Sequence, residues 1–363
     1  MVQNELLHSV QSMDQLEKKE LRDLFNMESH DAFHLASIAN QSCEAVHGKQ
    51  VTYVVNRNIN FTNVCRFNCR FCGFHVDCND PGGYFLTNDD VREKVLEAKQ
   101  LEPACTEICI QGGIHPDLTI EVIEGYLQAI KEVEPTLHIH GFSPQEIWNL
   151  SKVEKSSVEE VLDRLKVAGL GSVPGTAAEI LVDGVRKRIC PSKIPTNRWI
   201  DIIKMIHRAG LPSTATIMYG HVETIEDIIK HLEIVRGIQK KTGGFTEFVP
   251  LPFQNEGDIN EGLKRIVKPP DGLLDLKMHA IARLFFKDCI PNIQCSWVKL
   301  GVKFCQVLVN SGANDFSGTL MEENITRSAG GRHGQYFPSR SMVRAILTAG
   351  KIPVQRTTIY ELF

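Results

Sequence analysis

No apolar run in the 363-residue chain approaches the roughly 18 residues that span a bilayer, so the sequence offers no transmembrane helix. Charge of one sign is missing too. Forty Lys and Arg stand against 44 Asp and Glu, a net charge of -4, which argues against a nucleic-acid or membrane-surface partner. The first residues, MVQNELLHSVQSMDQLEKKELRD, have early acids and no apolar h-region, so no secretory signal is expected and the protein is read as cytoplasmic. There is no repeat, low-complexity tract or Pro/Gly-rich linker to divide the chain. The 11 cysteines are an odd number, scattered apart from one tight cluster, which excludes a secreted disulfide framework.

What is present is an ordinary globular composition, 42% hydrophobic and 23% charged, in a chain long enough to bury a core without staples. Residues 1 to about 48 read as a helical extension, with Leu21, Leu24 and Phe25 as an apolar stripe. From 49 to 363, strand-like and helix-like segments alternate. Strand candidates are INFTNV (59–64), TEICIQ (106–111), LHIHGF (137–142), GSVP (171–174), STATIMY (213–219), FTEFVPL (245–251), NIQCSW (292–297) and CQVLVN (305–310). Eight strands interleaved with helices point to an α/β fold, a (β/α)8 barrel with an N-terminal helical extension; a doubly wound open sheet is the competing architecture. VKLGVKF, between the last two strands, is too short for a long helix and is the weak link.

In such a barrel the chemistry sits at the C-terminal strand ends. Those ends hold Cys65 to Cys72, Gln111–Gly112–Gly113, Phe142–Ser143–Pro144, Pro174–Gly175 with Glu179, and Tyr219–Gly220–His221 with Glu223. Further along come Pro250 to Phe253, Ser296–Trp297 with Lys299, and Asn310 through Asp315. The strongest signal is Cys65, Cys69 and Cys72, a C-x3-C-x2-C run directly after a strand. Thiolates are soft ligands suited to iron–sulfur clusters or zinc. Three thiolates on a four-iron cluster leave one iron open to a substrate or cofactor. The alternative is a zinc-stabilised, non-catalytic binding subunit, with Cys78 or His75 closing a tetrahedron, but no second zinc half stands out. The other eight cysteines are read as small buried apolar residues.

C-x3-C-x-aromatic-C, with Phe71 in the aromatic position, resembles the signature of the radical S-adenosylmethionine superfamily. The resemblance implies a [4Fe-4S] cluster on Cys65, Cys69 and Cys72 and S-adenosyl-L-methionine as cofactor, with Phe71 near the adenine and Gln111, Gly112 and Gly113 near the methionyl amine. INFTNVC, IQGGIHPDL, HIHGFSPQEI, TGGFTEFVPLPF, NIQCSWVKLG and GANDFSGTLMEENITRSAG, from about residue 50 onward, further resemble the CofH family of deazaflavin (coenzyme F-420) biosynthesis. That resemblance implies a radical transferase acting on L-tyrosine and 5-amino-6-(D-ribitylamino)uracil, releasing 2-iminoacetate, with CofG as pathway partner and an external electron donor. The menaquinone-pathway MqnC and MqnE enzymes are the runner-up relatives. One departure is visible: the resemblance implies PGGGAEI where this chain has Pro174–Gly175–Thr176–Ala177–Ala178–Glu179–Ile180, so a different backbone path is expected for this loop.

Contacts to a zwitterion and a ribityl chain require many hydrogen-bonding groups. The candidates are His140, Ser143, Glu179, His221, Glu223, Glu247, Ser296, Asn314 and Asp315, with Glu247, Glu179 and His140 as the catalytic choices and Glu179 also a cofactor contact. Glu247 shares a strand face with Phe245 and Val249, so an acid there needs a partner or a function. Each has a structural alternative: His138 or His140 as a satisfied barrel histidine, Glu223 and Glu226 as helix N-terminal acids. Glu322–Glu323–Asn324 reads as a solvated helix face.

Overall fold

The computed structural model describes residues 7, 10, 15–254, 256, 263 and 270–363. Most of the expected helix within residues 1–14 therefore lies outside the described residues. The strands are β1 (Gln50–Val54), β2 (Asn56–Asn60), β3 (Glu107–Gln111), β4 (His138–Gly141), β5 (Ser213–Tyr219), β6 (Phe245–Pro252), β7 (Asp315–Gly318) and β8 (Ile352–Gln355). All strand pairings are parallel: β2–β3–β4, β5–β6, and β1 between β7 and β8. Single parallel bridges join these sheets, His140 to Ser172, Val173 to Ser213, Phe248 to Ile293 and Gln294 to Asp315. The order thus runs around a closed ring from β1/β2 back to β7, a (β/α)8-type barrel.

Two assignments from the sequence are corrected. CQVLVN is not the eighth strand: Val302–Leu308 is a helix, and the strand that closes the ring is β7 at Asp315–Gly318. Two short helices, Trp297–Leu300 and Val302–Leu308, fill the link that looked too short for one long helix. The first strand also begins earlier than INFTNV, at Gln50, and continues past Val55 into β2. The GSVP and NIQCSW segments contribute only isolated bridges.

Alternation along the strands decides what faces the barrel interior. Side chains of a strand alternate between two faces. In β3, Ile108 and Ile110 are fully buried while Glu107, Cys109 and Gln111 line the interior. In β5, Ala215, Ile217 and Tyr219 pack away from Thr214, Thr216 and Met218, which line it. The inward rows mix polar and small residues with a few apolar ones such as Met218, Val249 and Leu251, and the barrel retains a lumen.

Local chemistry sets the helix starts. Thr87/Asp90, Ser143/Glu146, Ser157/Glu160 and Thr224/Asp227 each form a capping box, satisfying backbone donors that a helix N-terminus leaves unpaired. The Gly272–Phe286 helix is buried over most of its length. It packs against the Lys18–Asn26 and Ser29–His47 helices on one side and β6 on the other. Lys277 Nζ donates to the Phe25 and Met27 carbonyls at 3.0 and 2.5 Å, and Arg236 to Leu16 O at 2.8 Å, tying the N-terminal helices to the barrel wall. No helix among the described residues is long and apolar enough to cross a membrane.

Candidate active site

The lumen is a cavity of about 410 Å³, within the range of small-molecule sites. Cys65, Cys69 and Cys72 line one region of it and are free thiols, Cys69 buried. Cys65 N bonds Val76 O at 3.1 Å, Arg66 N bonds Ile114 O at 3.0 Å and Arg70 N bonds Ile189 O at 2.8 Å, so the loop is pinned at three points. Among the described residues no three His, Cys, Asp or Glu side chains are close enough to hold a single metal ion. His75 Nδ1 is instead engaged with Cys72 O at 2.9 Å, and Cys78 is exposed and off the lumen. Three thiols each meant for a different iron must stand further apart than three on one ion. The donor set therefore fits a cluster better than a closed tetrahedral zinc site.

Gln111, Gly112 and Gly113 also line the lumen. A Cβ on Gly113 would stand 2.2 Å from Val64 O and 3.1 Å from Cys65 Cβ. Glycine is required here because the end of β3 packs directly on the start of the cysteine loop. A Cβ on Gly112 would meet the Phe61 ring at 2.9 Å, so close packing, not only open approach for a ligand, explains that glycine. Gly112 N donates to Glu146 Oε1 at 3.2 Å, joining β3 to the capped helix beside it.

Glu179 lies on the lumen with its carboxylate 2.5 Å from Lys193 Nζ. Burial alone would raise its carboxyl, but the ammonium of Lys193 holds it below the usual range. The Lys193 ammonium also sits 5.4 Å from the Phe71 ring centre. Ala177 and Glu179 have φ of 63° and 46°. Both take a left-handed backbone that glycine would adopt without strain, so this loop follows that path without a glycine at either position.

At the strand starts lies a second charged group, assembled largely by the C-terminal segment. Arg356 Nε bonds Asp315 Oδ2 at 2.5 Å and its Nη2 stands 3.7 Å from Glu247. Glu247 accepts from Tyr360 Oη at 2.6 Å and Gln294 Nε2 at 2.9 Å. Glu107 accepts from Asn56 at 2.7 Å and Thr358 at 2.7 Å. Burial opposes its ionisation, yet these hydrogen bonds and the nearby Arg356 guanidinium hold Glu107 below the usual carboxylate range. His140 Nδ1 lies 2.7 Å from Ser172 Oγ, which also meets His138 Nε2 at 2.7 Å. Burial lowers His140 to about 4, so near neutral pH it is an uncharged imidazole facing the lumen.

Glu247 is raised to about 7, first by burial, because Arg356 is engaged chiefly by Asp315. Folded chains therefore hold a proton on Glu247 between roughly pH 4.5 and 7 that unfolded chains have released. Stability from this group is highest below that window and declines as pH rises through it. Thermal melts of Glu247→Gln should show a flatter pH dependence from about 4.5 to 7 than the parent. An identical slope in both proteins would mean that Glu247 ionises normally.

Of the other candidates, Ser143 and Ser296 line the lumen, but Ser143 is committed as a helix cap, its Oγ 2.6 Å from Glu146 Oε2. His221, Glu223, Asn314 and Asp315 do not line it. Glu223 accepts from Gly220 N at 2.5 Å and His221 N at 2.8 Å, closing its own turn. Asn314 accepts from Arg283 at 2.5 Å, and Asp315 binds Thr52 and Arg356. Glu323 is not on a solvated face: it is 8% exposed and lines the lumen. Cys109 is a lumen residue and Cys78 an exposed one, so the eight remaining cysteines are not uniformly core. Sequence reasoning missed Glu107, Lys193, Arg356 and Thr358. Glu107 carried a usable signal, an acid in line with Cys109 and Gln111 on the face opposite Ile108 and Ile110; Lys193 lies in a loop and carried none.

Comparison with known proteins gives two family-model matches, the radical SAM superfamily over residues 59–235 and the CofH/MqnC C-terminal region over 242–363. Curated relatives named 5-amino-6-(D-ribitylamino)uracil–L-tyrosine 4-hydroxyphenyl transferase are similar along nearly the whole chain. The protein from Methanopyrus kandleri is 46% identical over 91% of this chain and 89% of its own length. One from Methanosarcina mazei is 48% identical over 91% and 86%, and that from Archaeoglobus fulgidus 47% over 90% and 92%. Among solved structures, methylornithine synthase (PylB) matches with a TM-score of 0.73 at 18% identity, covering 96% of this chain and 97% of its own. The hydrogenase maturase HydG matches at 0.75 and 15%, covering 97% and 75%. These two likenesses bear on the fold alone. On the sequence relatives, the chain belongs to the radical SAM superfamily and, within it, to the family of 5-amino-6-(D-ribitylamino)uracil–L-tyrosine 4-hydroxyphenyl transferases.

Proposed function

We propose that the chain cleaves the Cα–Cβ bond of L-tyrosine and transfers the 4-hydroxybenzyl group to 5-amino-6-(D-ribitylamino)uracil, releasing 2-iminoacetate, in deazaflavin biosynthesis. The observation that carries this reading is the 45–48% identity, over nine-tenths or more of the chain, to relatives bearing that name. Cys65, Cys69 and Cys72 would hold a [4Fe-4S] cluster, and Phe71, Gln111, Gly112, Gly113 and Glu179 would surround S-adenosyl-L-methionine. Together, when bound, these groups supply one-electron hydrogen abstraction.

The chain's own residues do the rest. The lumen encloses both substrates, so a reactive benzyl fragment meets its acceptor before it meets water. Glu179, fixed by Lys193, presents a carboxylate to a hydroxyl or amino group of the cofactor. His140, neutral at physiological pH, can donate or accept a hydrogen bond. Glu247, titrating near neutrality, can take up or return a proton at its carboxylate oxygen. The adduct then passes to the CofG enzyme, and a cellular electron donor supplies the reducing equivalent. A cytoplasmic site of action accords with the absence of any disulfide among the described cysteines.

The test is an anaerobic incubation with reductant, S-adenosylmethionine, L-tyrosine and the ribityl-diaminouracil, followed by mass spectrometry. Expected products are 5′-deoxyadenosine, a glyoxylate-derived species and a uracil heavier by one hydroxybenzyl group, the last only when both substrates are present. Deoxyadenosine without the adduct, together with turnover of a futalosine-type substrate, would replace this reading with a menaquinone-pathway activity.

A further inference from the structure

Among the described residues three lysine or arginine side chains line the lumen, and two of them are committed. Lys193 is bound to Glu179 and Arg356 to Asp315. The third, Lys299, makes no side-chain hydrogen bond or ion pair among the described residues. It follows the bridged 293–294 segment, on the short Trp297–Leu300 helix. Glu323 lies on the same lumen, in the loop after β7. Its neighbour Glu322 is held elsewhere, by Arg57 at 3.0 Å and Lys94 at 2.7 Å. Glu323 itself accepts from Thr326 N at 2.8 Å.

Lys299 and Glu323 are within electrostatic reach of each other, each the principal opposing influence on the other's ionisation after burial. Yet their charged atoms do not form a direct ion pair within 4 Å. Among the described residues, Glu323 caps the Asn324–Ser328 helix through Thr326 N but has no cation within 4 Å, and Lys299 has no anion within 4 Å, so on one cavity lining each charge lacks a direct counter-ion. A ligand with a carboxylate and an ammonium on the same carbon, inserted head to tail between them, would satisfy both through charge-assisted hydrogen bonds. Ser296, Ser317 and Thr326 supply hydroxyls on the same lining, and Val298, Leu320 and Ile325 supply apolar surface for the rest of such a ligand.

We propose that Lys299 and Glu323 form an α-amino-acid subsite, Lys299 taking the carboxylate of the tyrosine substrate and Glu323 its ammonium. This rests on the function proposed above and deepens it. The half of tyrosine that leaves as 2-iminoacetate is held by the clamp, while the ring half is free to move to the acceptor. The subsite therefore discriminates amino acids from phenols that lack either charge.

The experiment is equilibrium dialysis under anaerobic conditions, with the cluster-loaded enzyme and S-adenosylmethionine. The ligands are L-tyrosine, tyramine (no carboxylate) and 3-(4-hydroxyphenyl)propanoate (no amine). The parent should bind tyrosine about 10- to 100-fold more tightly than either analogue, the scale of a hydrogen bond to a charged group. Lys299→Met should bring tyrosine and tyramine within about threefold of each other, and Lys299→Arg should keep most of the preference. Glu323→Gln should erase the preference over the propanoate. Iron and sulfide content and circular dichroism identify variants that have kept their fold.

A Lys299→Met enzyme with the parent's tyrosine/tyramine ratio overturns the proposal. So does a Lys299→Met enzyme that keeps that ratio but no longer changes its cluster EPR spectrum on adding S-adenosylmethionine, which would assign the cation to the cofactor. A parent that binds no tyrosine at all overturns the tyrosine reading itself, and the subsite with it.

Discussion

Cys69→Ala should lose most of its iron on anaerobic reconstitution, and its S-adenosylmethionine cleavage should fall by more than about 1,000-fold, to background. The same result is expected for Cys65→Ala and Cys72→Ala. The reason is the number of donors: with only three local thiolates, none is spare. All three lie on one lumen; His75 lies there too but is hydrogen-bonded to Cys72 itself and is no thiolate, and Cys78 is exposed and off the lumen. Cys78→Ala should reconstitute and cleave like the parent. Iron and sulfide analysis, the visible absorbance of the reconstituted protein and 5′-deoxyadenosine formation check the set. Near-parental cleavage by Cys69→Ala with iron still bound would end the three-cysteine assignment. Bound zinc with no visible absorbance in the parent would favour the structural zinc site instead.

The second large effect is expected away from the thiols. Gly113→Val places a Cβ 2.2 Å from the Val64 carbonyl, far inside contact distance, with Cys65 next to it. Backbone cannot yield as a flexible side chain can, so β3 and the cysteine loop must separate. Overpacking of this kind costs about 3 kcal/mol or more, and here the strain falls on the first cluster ligand. Expected outcomes are a lower denaturation midpoint and a cluster content below about half the parent's. Gly237→Ala is the control. Gly237 lies within the Ile225–Thr242 helix with open space around its Cα, so the change should leave cluster content alone and raise stability by up to about 1 kcal/mol. If Gly113→Val matches the parent in both measurements, the packing of β3 on the loop does not position the cysteines.

Much of the fold was legible because its signals are local. A two-residue period in TEICIQ and STATIMY separates an apolar face from a polar one in any sheet. Ser143 with Glu146 and Thr224 with Asp227 mark helix starts from spacings of three. The last strand was misplaced for the same reason: CQVLVN is apolar and β-branched enough to read as a strand, yet the segment is a helix that packs on the Trp297–Leu300 and Ser339–Thr348 helices.

The sequence by itself determined the chemistry that spacing can encode: three thiols on one loop after a strand, a glycine pair at the next strand end, and an acid, Glu247, among apolar neighbours. Tertiary structure alone decided which distant groups share the lumen. Tyr360 reaches Glu247 across 113 positions of sequence, and Thr358 reaches Glu107 across 251. Burial raises Glu247 to about 7, and Arg356, bonded to Asp315 and 3.7 Å from Glu247, offsets that only in part. Glu322 and Glu323 are adjacent acids with opposite fates, one tied to Arg57 and Lys94 and the other turned to the cavity with Lys299. No periodicity separates them. Which of two neighbouring side chains meets a counter-ion and which meets a cavity is fixed by closure of the ring between β7 and β1, a contact between the two ends of the barrel that sequence spacing does not encode.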